Sequence, residues 1–185
     1  MNVIHRNIEA SILSDLHKKF VFLSGPRQVG KTTLAHRLIQ ELKGTYLIYD
    51  DEEDRRKILK KEYISNPWVC LDEFHKFPRW KSHIKGLYDK YHEQLHVLVT
   101  GSARLDVFQK SGDSLFGRYY LHHLHPITLG ELASSTLPPL LIQIHEVHDT
   151  ARFVDTLVKF GGFPEPFYAH SEKEHRRWSN ARRQL

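Results

Sequence analysis

The stretch that most restricts how this chain folds is FVFLSGPRQVGKTTLAHRL, residues 20–38. A strand-forming run meets two glycines, a lysine and two threonines, and an apolar pattern of helical period begins at once. Gly25, Gly30, Lys31 and Thr32 satisfy the spacing GxxxxGK[ST], and the strand before them and the helix after them give that spacing a mechanism. Glycines let backbone N–H groups curl around an anion without clashing β-carbons, and the positive end of the helix points to the same place. The expectation is a phosphate-holding turn formed by Gly25, Pro26, Arg27, Gln28, Val29, Gly30, Lys31, Thr32 and Thr33. Lys31 would reach the β and γ phosphates of a nucleotide, the Thr32 hydroxyl would ligate Mg2+, and the Thr33 N–H would reach the α phosphate. A glycine-rich turn arising by coincidence is the competing reading.

Further along, strand and helix patterns alternate. TYLIYD reads as a second strand, WVCLDEF as a third that is apolar on both faces, HVLVTGS as a fourth and RYYLHHLHPITL as a fifth. Between them, Leu34, Leu38 and Leu42 form a helical stripe with Gly44 as its C-cap, and DDEEDRRKILKKEY places acids before bases with Asp50 and Glu53 spaced as a capping box. Ile84, Leu87, Tyr88 and Tyr91 mark another helix, and Ile8, Ile12 and Leu16 one at the start. Repeated alternation predicts a three-layer α/β domain with a mostly parallel five-stranded sheet and a ligand site at the carboxyl ends of its strands.

A phosphate turn does not by itself imply hydrolysis, which also needs carboxylates for metal and water. Asp72 and Glu73 end the third apolar strand, where Asp72 can hold hydrated Mg2+ and Glu73 can orient or deprotonate an attacking water. Two adjacent acids there could instead cap the next helix. The fourth strand ends in Thr100-Gly101-Ser102, from which Ser102, or else Thr100, could touch the γ phosphate; a plain turn is the alternative. Arg118, with Arg104 and Arg27 as competitors, is the arginine that would neutralise charge on a transferring phosphoryl group, here or in a neighbouring subunit. A surface ion pair is the ordinary role for each.

Beyond Pro138 and Pro139 the pattern turns helical, with Phe153, Leu157 and Phe160 on one stripe ending at Gly161 and Gly162, and Trp178, Ala181 and Leu185 on another. The expected division is a core over residues 1–134 and a small helical, lid-like subdomain over 135–185, cut before a further domain. Four arginines in the last segment could meet nucleic acid or line a solvated helix face. A net charge of +5 permits a polyanionic partner without requiring one. A single cysteine and the lack of a signal-like start or a membrane-length apolar run point to the cytoplasm and away from a membrane. His122, His123 and His125 alternate around the fifth strand, as a metal cluster or, more simply, as polar positions of a half-exposed strand.

GPRQVGKTTL, LDEFHKFPRW, VTGSARLD, LFGRYYLHHLHPITLGEL and FGGFPEPF, in that order along nearly the whole chain, resemble the prokaryotic AAA-family ATPases that continue into a C-terminal domain of unknown function. The resemblance implies an AAA+-like P-loop core with sheet order 5-1-4-3-2, ATP and Mg2+ as ligands, residues 25–32 as Walker A, Asp72 and Glu73 as Walker B, and Ser102 or Thr100 as first sensor. It also implies that these residues form only the ATPase part of a longer protein. The leading expectation is an ATPase that couples Mg-ATP hydrolysis to conformational change and is capable of homo-oligomer formation. The alternatives are a nucleotide-gated DNA- or RNA-binding module with little hydrolysis and a small-molecule kinase.

Overall fold

A computed structural model describes residues 4–101, 115–133 and 150–183 of the chain. The short apolar runs become β1 (Phe20–Ser24), β2 (Thr45–Ile48), β3 (Trp68–Asp72), β4 (His96–Thr100) and β5 (Tyr119–His123). They form one parallel sheet in the order β2-β3-β4-β1-β5, as the resemblance implied. Helices α1 (Glu9–Leu16), α2 (Lys31–Glu41), α3 (Glu52–Lys60) and α4 (Trp80–Tyr91) cover the sheet, and a single 3-10 turn (Phe74–Lys76) leaves the end of β3. The fold is the three-layer P-loop arrangement expected.

Because successive strand residues point to opposite faces, each strand serves two cores. Phe20, Phe22, Val69, Leu71, Val97 and Val99 are buried on one face with Ile58 of α3 and Ile84 and Leu87 of α4. Val21, Leu23, Cys70 and Leu98 are buried on the other, which α1 and α2 cover with Ile12, Leu16, Leu34, Ala35, Leu38 and Ile39. The site residues inherit this parity. Asp72 and Thr100 follow Cys70 and Leu98 onto the α2 face.

Two local expectations need correction. Asp51, one residue after the expected Asp50, is the N-cap of α3, and its Oδ1 accepts the Asp54 N–H at 2.9 Å. Asp50 is instead ion-paired with Lys76. After α2 the left-handed position is taken by Lys43 (φ 53°) rather than Gly44. Gly44 is required for a different reason, since a β-carbon there would lie 2.6 Å from the Trp68 carbonyl oxygen.

The chain divides into two compact units, one of Ile8–Leu124 and a second of Met1–Asn7 with His125–Leu185. In the second lie α5 (Leu129–Ala133), α6 (Thr150–Phe160), α7 (Pro164–Ala169) and α8 (Glu172–Arg183). Thr128 and Glu131 bond reciprocally at the start of α5, a capping box, and Glu131 also takes Arg6 Nε at 2.8 Å, both side chains almost wholly buried. On α6 the expected stripe buries Phe160, half-buries Phe153 and Leu157, and ends at Gly161, whose φ is 71°. In α8, Trp178 and the Arg182 guanidinium pack against the Phe163 ring. Pro138, Pro139 and Leu185 lie outside the described residues.

Candidate functional site

The turn between β1 and α2 has a backbone that few side chains tolerate. Gly25 has φ 149°, Gln28 φ 65° and Gly30 φ 98°, and Gly30 is the N-cap of α2. At Gly25 a β-carbon would lie 2.4 Å from the Leu124 carbonyl oxygen at the end of β5, so glycine is demanded by space as well as by φ. Val29 is fully buried, while Arg27, Gln28, Thr32 and Thr33 are exposed. Lys31, at the first position of α2, is 7% exposed, and its Nζ donates to the carbonyls of Gly25 at 2.9 Å and Pro26 at 2.8 Å. Burial lowers its pKa, against the opposing pull of Glu73 and Asp72, and Arg27 lowers it further. An ammonium stripped of water and held by two neutral carbonyls is suited to an anion.

Asp72, at the end of β3, is the hub. Its Oδ2 accepts the Thr32 hydroxyl at 3.0 Å and the Tyr46 phenol, and its Oδ1 accepts the Thr100 hydroxyl and the Glu73 N–H at 3.0 Å. Sheet order places Thr100 there, since β4 lies between β3 and β1. Tyr46 was not read from the sequence as a site residue; burial, followed by its bond to Asp72, raises its phenol pKa so that it stays a donor. A threonine hydroxyl beside a buried carboxylate, at the foot of a glycine turn with a lysine, is an oxygen-donor set fitted to Mg2+ with phosphate. The chemistry present therefore fits the nucleotide and metal that the resemblance implies.

Glu73, at the N-cap position of the 3-10 turn, takes a left-handed conformation (φ 54°), and its side chain makes no capping bond to that turn. Its Oε2 lies 3.3 Å from Lys76 Nζ and 3.8 Å from His75 Nε2, and Lys76 also holds Asp50. Asp50 was read from the sequence only as a helix cap, and Lys76 was given no role of its own there. Arg118 is not among the groups that meet Asp72; its Nε pairs with Asp89 of α4 at 2.7 Å. Ser102 and Arg104 lie outside the described residues. His122 bonds Asp15 at 3.0 Å and His123 bonds Ser24 at 2.8 Å, so neighbouring histidines of β5 turn to different partners. Among the described residues no helix is long and apolar enough to cross a membrane.

Against known proteins, residues 17–133 match the family described as AAA domain. The chain belongs to the AAA domain family. Two curated relatives, uncharacterized protein Mb2031c of Mycobacterium bovis and uncharacterized protein Rv2008c of Mycobacterium tuberculosis, are each 25% identical over 183 residues, which is 96% of this chain and 37% of theirs. The chain thus spans little more than a third of the relatives it matches. Among solved structures, the Aeropyrum pernix ORC1 protein, determined in complex with DNA, superposes with a TM-score of 0.52 at 13% identity, over 70% of this chain and 47% of that one. That likeness is one of fold. The family match and the glycine turn make this AAA domain a P-loop domain of the nucleotide-binding type.

Proposed function

We propose that this AAA domain binds ATP with Mg2+ and hydrolyses it, and that loss of the γ phosphate shifts a helical lid of residues 135–185 against a core of residues 1–134. The observation that carries this reading is the convergence of Lys31 and Thr32, from the turn after β1, with Asp72 from β3, Thr32 Oγ1 being 3.0 Å from Asp72 Oδ2. Residues 25–33 would hold the triphosphate through their backbone N–H groups, with Lys31 exchanging its two carbonyl partners for phosphate oxygens. Thr32 and Asp72 would hold Mg2+, which when bound neutralises phosphate charge and orients the oxygens. Glu73 would take a proton from the attacking water, and Thr100 or Ser102 would report on the γ phosphate. Arg118, on an ion pair with Asp89, is the candidate to serve the site of a neighbouring copy in a homo-oligomer. The cytoplasm is the proposed compartment.

A second reading, the nucleotide-gated module that holds DNA or RNA and hydrolyses little, draws on one observation. The Glu73 carboxylate is already engaged by Lys76, which would restrain it as a base. The two readings separate in steady-state phosphate release measured with and without DNA. Under the first, Glu73→Gln leaves ATP affinity near that of the parent and lowers turnover by at least about a hundredfold. Parent and variant releasing phosphate equally slowly would favour the second.

A further inference from the structure

Asp72 is 2% exposed, and its carboxylate meets four donors: Thr100 and the Glu73 N–H on Oδ1, Thr32 and Tyr46 on Oδ2. Three of these donors come from segments that the sequence motifs single out. The fourth comes from the edge strand. In the β2–β3 register Ile48 is opposite Asp72 and Tyr46 opposite Cys70, so Tyr46 is the diagonal neighbour of Asp72 on the α2 face of the sheet. The Tyr46 phenol spans that diagonal to donate to Asp72 Oδ2. The Tyr46 ring is also braced edge-on by His36 of α2, with centroids 5.0 Å apart.

We propose that Tyr46 is a positioning residue that fixes the Asp72 carboxylate for a divalent cation held with Thr32; this rests on the reading of the nucleotide site given above. Thr32 commits its one hydroxyl proton to Asp72 Oδ2, which leaves its oxygen lone pairs for a cation. That arrangement needs Oδ2 to stay where Thr32 can reach it. Thr100 and the Glu73 N–H secure only the other oxygen, so Tyr46 is the second point that stops the carboxylate from turning. Without it, carboxylate and hydroxyl lose their alignment together, and the cation loses both.

The test measures binding of a non-hydrolysable ATP analogue to the full chain, in EDTA and across a Mg2+ titration, for the parent and for Tyr46→Phe. The substitution keeps the ring packed against His36 and removes only the hydroxyl. The expected result is unchanged affinity in EDTA and a half-saturating Mg2+ concentration raised about tenfold, the scale of losing an outer partner of a metal ligand. Superimposed Mg2+ titrations would overturn the proposal, and so would equal weakening with and without Mg2+, which is what a merely structural tyrosine gives. A parent showing analogue binding but no Mg2+ effect would overturn the cation site itself, and this proposal with it.

Discussion

At the scale of residues, the site depends on side chains and backbones kept in arrangements that are costly outside their setting. Gly25 is the clearest case, because its φ of 149° and the Leu124 carbonyl 2.4 Å from where a β-carbon would stand act together. Gly25→Ala should lower stability by about 2–3 kcal/mol and displace the turn, so that thermal melting of the variant shifts down and its ATP affinity falls; a melting curve matching that of the parent would contradict the crowding. The glycines, Lys31, Thr32 and Asp72 could be read from the sequence because chemistry fixes their spacing along one turn and one strand end. Tyr46 could not. Its role arises only when β2 lies next to β3 in a particular register, and no spacing in the sequence encodes which strand becomes which neighbour. Glu73 was legible as an acid at a strand end, but its left-handed backbone and its grip by Lys76 were not, since both follow from the 3-10 turn that leaves β3.

At the scale of elements, periodicity identified every strand of the sheet, because a short apolar run covered on both faces differs from a stripe that recurs every three or four residues. Ends were harder to read than interiors. In the run Asp50-Asp51-Glu52-Glu53 several acids can serve as a cap, and the choice is made by where β2 stops: Asp54 Oδ2 accepts the Ile48 N–H at 3.0 Å, which fixes the first turn of α3 against the strand and leaves Asp51 at the N-cap. Asp51→Ala should therefore cost about 1 kcal/mol in a urea unfolding experiment, whereas Asp50→Ala, which removes only an exposed pair with Lys76, should cost less than about 0.5 kcal/mol. The reverse ranking would restore the capping box at Asp50. Gly44 teaches the same lesson, as a glycine near a helix end that is kept for the approach of Trp68 and not for its own φ.

At the scale of the whole molecule, the chain is two compact units, and the sequence could not show that residues 4–7 belong with the second of them. Arg6, whose buried guanidinium finds Glu131 and the His125 carbonyl, contributes to that membership together with the Ile4 and Asn7 N–H groups, which donate to Tyr168 and Glu131; bonds across so many residues leave no local signature. The central claim concerns the other unit, where strands distant in sequence bring a lysine, a threonine and an aspartate to one end of the sheet. Its most direct test is ATP titration in Mg2+ with the parent and Lys31→Ala, each first shown to melt as a folded protein. The account predicts a loss in affinity of about tenfold to a hundredfold, the value of a charge-assisted bond to phosphate, and equal affinity in the two proteins would contradict it.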